Sequence, residues 1–159
     1  MNKAAKTVAM VAMILGVFWQ ATAQADLLDV VSQLRSGGQA RKVVVSGNYA
    51  YVADNESGLQ IVDISDPTAP TLVGTYNTSN FVLDVAVSGN YAYVADYTSG
   101  LQVIDVSDPA NPSLAGTYDT SGRARGIAVS GNYAYVADDT SGLQVIDVSD
   151  PTNPSLTGT

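Results

Sequence analysis

Past residue 40 the chain is written in apolar runs of four to six residues, each cut off by Gly, Asn, Asp or Pro. Residues 125–158 show the pattern once in full: RGIAV, YAYVA, LQVIDV and SLTG, separated by SGN, DDTSG and SDPTNP. The runs are rich in Val, Ile and Tyr, which pack well on a pleated surface. No window holds a breaker-free stripe at i, i+3, i+4 spacing. They predict four strands: a at Arg125–Val129, b at Tyr133–Ala137, c at Leu143–Val148 and d at Ser155–Gly158. Gly131-Asn132 suits a two-residue type II′ or I′ hairpin turn, where positive φ is needed, while Pro151 and Pro154 bar strand c from running on. Tyr133, Tyr135 and Ala137 alternate with Ala134 and Val136, and Leu143 and Val145 lie opposite Ile146 and Val148. Strands apolar on both faces are buried on both. Each sheet is therefore expected between two neighbouring sheets, as radially stacked blades are.

The unit is written three times. SGNYAYVAD stands at Ser46–Asp54, Ser88–Asp96 and Ser130–Asp138, with starts 42 residues apart. Ser88–Thr117 and Ser130–Thr159 agree at 27 of 30 positions, and Ser46–Thr75 matches Ser88–Thr117 at 21 of 30. A period of about 40–45 residues belongs to four-stranded propeller blades or to paired-helix repeats, and the strand chemistry excludes the helices. The expected class is all-β: three 42-residue propeller blades of four antiparallel strands, at residues 35–76, 77–118 and 119–159.

GLQVIDVSDPTNPSLTGT following GNYAYVAD resembles the LVIVD-type repeat, a propeller blade of exported bacterial and archaeal proteins, and the resemblance covers residues 35–159. It implies a secreted or surface-displayed propeller and transfers no catalytic residue. Propellers typically carry about four to eight blades, so three are expected to leave two apolar sheet faces bare, which soluble monomers rarely tolerate. The expectation is an incomplete ring, either a piece of a longer propeller or a chain that self-associates to complete one. Residues 26–34 read in two ways. Asp29–Leu34 falls where strand d sits in the repeat register, while Leu27, Leu28, Val31 and Leu34 suit a short amphipathic helix ended by Gly37 or Gly38.

The first 25 residues stand apart. MNKAAK, the apolar TVAMVAMILGVFW and the small-residue ATAQA follow the plan of a secretory signal peptide, with cleavage expected after Ala25 or Ala23. The 13-residue apolar run is too short for a membrane span of roughly 20 residues, and no later run is long enough. The mature chain is expected in the periplasm, at the cell surface or outside the cell. Cysteine and histidine are absent, which removes disulfides, thiolate metal sites, the commonest zinc ligand and the usual base for a Ser or Cys nucleophile. Lys3 and Lys6 leave with the signal, so five basic residues face fifteen acidic ones, a net charge of −10. Nucleic acid and anionic membranes are poor partners for such a chain.

Other chemistry is thin. Asp54–Gly58, Asp96–Gly100 and Asp138–Gly142 share the form Asp-x-x-Ser-Gly, whose oxygens suit calcium, but the form falls short of an EF-hand loop and reads as hairpin closure. Asp63, Asp105 and Asp147 sit among apolar neighbours in strand c; a carboxylate buried there needs donors, expected from an adjacent loop. Glycoside hydrolysis needs two carboxylates, and Asp84 is alone in the channel-side segment. No catalytic residue, cofactor or metal is expected. The competing reading is a piece of a propeller enzyme whose active site lies partly in further blades.

Where the copies disagree is more informative. The segments leading into strand a read Gln39–Lys42 (QARK), Phe81–Asp84 (FVLD) and Arg123–Gly126 (RARG), and the b–c connections differ at Asn55-Glu56, Tyr97-Thr98 and Asp139-Thr140. In an up-and-down blade the d–a and b–c connections emerge at the same end, so these positions are expected to converge around the central opening. Loops on a rigid scaffold are where binding resides. The candidate partner-binding residues are Phe81, Leu83, Asp84, Tyr97, Arg123, Arg125 and Asp139, and the expected partner is a protein or glycan of the cell envelope. The competing reading is drift in exposed loops, with Arg123 and Arg125 forming an ordinary surface pair with Asp84.

Overall fold

A computed structural model describes residues 38–159; the signal peptide expected at 1–25 and the strand or helix expected at 26–34 lie outside the described residues. Twelve strands form three sheets. The first holds β1 (Lys42–Ser46), β2 (Tyr49–Ala53), β3 (Leu59–Asp63) and β4 (Thr71–Tyr76). The second holds β5 (Asp84–Ser88), β6 (Tyr91–Ala95), β7 (Leu101–Asp105) and β8 (Ser113–Tyr118). The third holds β9 (Ala124–Ser130), β10 (Tyr133–Asp138), β11 (Gly142–Asp147) and β12 (Ser155–Gly158). Each sheet is an antiparallel meander in chain order, one propeller blade with strands a to d, and no helix occurs among the described residues.

The a–b hairpins pair Ser46 with Tyr49, Ser88 with Tyr91 and Ser130 with Tyr133, leaving two-residue loops. Gly47, Gly89 and Gly131 stand at φ 58°, 58° and 57° while the following Asn does not take positive φ, which selects type II′ over I′. The carboxylates of strand c differ from expectation. Asp63, Asp105 and Asp147 are half-exposed, because each is the last residue of its strand. Each accepts a backbone N–H from the serine two residues on, in the adjoining c–d connection, at 2.8 Å. Those bonds hold all three below the usual carboxylate range.

Blades stack by unlike faces. Tyr51, Ala53, Leu59 and Ile61 of the first blade pack on Val85, Ala92, Val94 and Ile104 of the second. Tyr93, Ala95, Leu101 and Val103 of the second pack in the same way on Ala134, Val136 and Ile146 of the third. At the outer rim, a Cβ on Gly74 would fall on the Pro109 carbonyl, and one on Gly116 on that of Pro151; strand d is glycine there because the next blade's c–d turn lies against it. The third blade's Tyr face has no partner sheet among the described residues, and Leu143 and Tyr133 are 54% and 39% exposed. Two bare faces were expected; among the described residues, this one is exposed. On the first blade Val43, Ala50, Val52 and Val62 are buried, with Ala40 and Ile64 packed against them.

Candidate functional site

The b–c connections and the segments leading into strand a meet at one end of the blades. In the first two blades the second residue of the b–c loop reaches across to the next blade. Asn55 and Val82 exchange two backbone hydrogen bonds, at 3.1 and 3.0 Å, and Ala124 N–H donates to the Tyr97 carbonyl at 2.8 Å. Both loop residues take left-handed backbone, φ 42° at Asn55 and 43° at Tyr97. Asparagine visits that region readily; for an aromatic residue it is strained by about 1 kcal/mol.

The bridge fixes what surrounds Tyr97. In extended backbone alternate residues share a side, so Arg123 and Arg125 flank the buried Ala124 on the same side. Their guanidinium carbons stand 5.5 and 5.6 Å from the Tyr97 ring centre. Phe81, one repeat before Arg123, approaches the same ring from its own blade, with centroids 6.0 Å apart and planes tilted by 57°. Asp139 completes the group. Its Oδ2 accepts from Arg125 Nη2 at 2.9 Å and lies 3.7 Å from Arg123 Nη1. The side chains of the two arginines and the aspartate are 51%, 51% and 37% exposed, and Phe81 is 39% exposed. An ion pair so exposed contributes less than about 1 kcal/mol to stability.

Five of the seven candidate residues are thus brought together and two are not. Leu83 is half-buried, its N–H bonded to the Ala95 carbonyl at 2.9 Å. Asp84 pairs with neither arginine, contrary to the surface pair weighed from sequence. Its Oδ2 accepts the Ile127 N–H at 3.0 Å and its Oδ1 the Val85 N–H at 2.9 Å, so it ties strand a of the second blade to strand a of the third.

Beneath the face lie two threonines that sequence reasoning did not single out. Thr120 Oγ1 donates to Asp138 Oδ2 at 2.6 Å, and Thr78 Oγ1 to Asp96 Oδ1 at 2.8 Å; each threonine anchors a d–a connection to the buried carboxylate of its own blade's b–c loop. The 42-residue spacing of Thr78 and Thr120 was the available signal. The two carboxylates are not equivalent. In the third blade the Thr140 and Ser141 N–H groups also donate to Asp138 Oδ1, at 3.0 and 2.9 Å. Burial works to raise its pKa, but these bonds outweigh it and bring the group down to about 2. Asp96 lacks the two backbone loop donors, its Oδ2 is buried without a partner, and burial pushes its pKa up. No group of three or more His, Cys, Asp or Glu side chains positioned for a metal occurs among the described residues.

Both ends carry carboxylates, but the described basic residues lie at one end only. The basic side chains among the described residues, Arg41, Lys42, Arg123 and Arg125, all lie at or just before strand a. The opposite end carries the c–d turns with Asp63, Asp66, Asp105, Asp108, Asp147 and Asp150, all held below the ordinary carboxylate range by local hydrogen bonds.

A family model described as LVIVD repeat matches residues 37–78, 82–120 and 121–159. No curated protein matches the sequence. Among solved structures the chain is similar to the crystal structure of the computationally designed Ika8 protein, with a TM-score of 0.59 at 11% identity. That likeness covers 74% of this chain and 36% of the designed one, and it is a likeness of fold alone.

Proposed function

Because the chain belongs to the LVIVD repeat family, we propose that it is an exported, non-catalytic β-propeller scaffold that recognises a protein or glycan of the cell envelope through the end bearing the b–c and d–a connections. One observation carries this reading. Five of the side chains at which the copies differ, Phe81, Tyr97, Arg123, Arg125 and Asp139, form a single contact group across the junction of the second and third blades. Tyr97 joins the group from a backbone conformation unfavourable to its side chain, a cost that Asn55 at the same place in the first blade carries far less. Exposed aromatic rings and guanidiniums are the groups that dominate recognition surfaces.

The test is retention. The immobilised chain is expected to hold back a component of envelope or extracellular fractions, and the Phe81→Ser/Tyr97→Ser variant to release it. Retention indifferent to that variant would remove the assignment from this face. Export rests on the basic, apolar and small-residue plan of the first 25 residues. N-terminal sequencing of the protein recovered from outside the bacterial cytoplasm is expected to begin at Asp26 or Gln24, and a retained Met1 would overturn it.

A further inference from the structure

Resting on that reading of the face, we infer that its ligand is a carboxylated sugar, a uronic acid unit of a polysaccharide. The two arginines share one carboxylate: Arg125 donates to Asp139 Oδ2 at 2.9 Å, and Arg123 stands 3.7 Å from the same oxygen. The group therefore keeps a net positive charge. Of the guanidinium N–H groups, only Arg125 Nη2 has a hydrogen-bond acceptor among the described residues. A guanidinium meets a carboxylate with two parallel N–H···O bonds, a match of shape as well as charge. Both are held over the Tyr97 ring, at 5.5 and 5.6 Å, which limits the orientation they must lose on binding.

The remaining groups specify what carries the carboxylate. Phe81 extends the aromatic surface beside Tyr97 and is 39% exposed, a platform for the apolar face of a pyranose ring. Asp139 has an acceptor oxygen, Oδ1, outside the ion pairs; it suits a sugar hydroxyl. That aspartate repels a second anionic group placed nearby, and the chain as a whole is strongly acidic. Nucleic acid and runs of acidic side chains are therefore disfavoured, whereas one carboxylate on a ring of neutral hydroxyls meets every group present.

The experiment titrates the full chain with methyl β-D-glucuronide and methyl β-D-glucoside, reading backbone amide shifts. The glucuronide is expected to move Phe81, Tyr97, Arg123, Arg125 and Asp139 and to bind about 10-fold or more tightly than the glucoside, the size of one charge-assisted hydrogen bond. Arg123→Gln/Arg125→Gln is expected to erase that preference. Equal binding of the two sugars, or a preference that survives the double variant, overturns the uronate assignment while leaving the face a recognition surface. Tighter binding of a poly-glutamate peptide than of the glucuronide overturns it in favour of an acidic polypeptide. Absence of shifts with both sugars also overturns it; the retention assay with Phe81→Ser/Tyr97→Ser then decides separately whether the face binds anything.

Discussion

Leu59, Leu101 and Leu143 occupy one position in three successive blades, yet the first two are fully buried and the third is 54% exposed. Truncating each to alanine removes the same atoms from nearly the same sheet, so any difference reports what covers that face. For Leu101→Ala the expected loss is about 3 kcal/mol, from the transfer of the missing carbons plus the cavity left between the second and third blades. Leu143→Ala forfeits roughly half of the transfer contribution and leaves no closed cavity, so about 1 kcal/mol is expected. Leu59→Ala should fall with Leu101→Ala. The gap of about 2 kcal/mol between the buried and open positions corresponds to about 1 M in urea midpoint for a slope near 2 kcal/mol/M. Urea unfolding followed by circular dichroism and by tyrosine fluorescence measures it. Coincidence of the two curves tests whether the stacked blades unfold as one unit. Equal losses at Leu101 and Leu143 would refute the reasoning, because the third blade's Tyr face would then be covered as well as the second's.

Gly116→Ala is expected to cost about 1–3 kcal/mol, since its Cβ would overlap the Pro151 carbonyl, whereas Gly158→Ala meets nothing within 4 Å and is expected to be neutral to slightly stabilising; thermal midpoints of both variants check the contrast. The paired carboxylates respond to pH in opposite directions. Asp138, lowered to about 2, contributes stability that is present above the ordinary aspartate pKa and lost as pH falls through about 2, so Asp138→Asn is expected to cost roughly 2 kcal/mol at pH 7. Asp96, raised by burial, disfavours its ionised form in the fold, so the stability it contributes is complete below the ordinary pKa and lost as pH rises through the elevated one. Asp96→Asn should therefore stabilise at pH 7 and do little at pH 3, and a destabilised Asp96→Asn at pH 7 would contradict the assignment. Self-association is expected to run through the bare face, because its Tyr133, Tyr135, Leu143 and Val145 repeat the faces that neighbouring blades cover within the chain. Light scattering should give a mass that grows with concentration and is suppressed by Tyr133→Asp/Leu143→Asp; a constant monomer mass would rule the association out.

The limits of sequence reasoning fall at particular residues. Strand bounds came out within a residue or so in the third blade, because each strand is bracketed by residues with a local reason to break the ladder: Gly131 needs positive φ, and Pro151 and Pro154 lack the N–H. The three Asp-x-x-Ser-Gly loops close their hairpins as read, but local sequence did not distinguish them. Nearly alike in sequence, they divide into two conformations. Asn55 and Tyr97 turn to left-handed φ and bond to the following blade, while Asp139 donates its N–H to the Arg123 carbonyl of its own blade at 3.0 Å. The deciding contact lies in the next repeat, beyond the reach of any local pattern. Asp84 is a similar case, with an acceptor oxygen committed to a backbone donor 43 residues away. The same long-range bridge explains why the candidate site was nevertheless legible. A b–c loop that crosses to the next blade sets position 97 beside positions 123 and 125, so substitutions one period apart become neighbours in space. Inside the blade interfaces the copies exchange only similar apolar residues, as Ile61 with Val103 and Val62 with Ile104, whereas at the loop ends they change chemical class. The bridge gathers those positions into one surface, which is why comparing the copies found Phe81, Tyr97, Arg123, Arg125 and Asp139 without an alignment of other proteins.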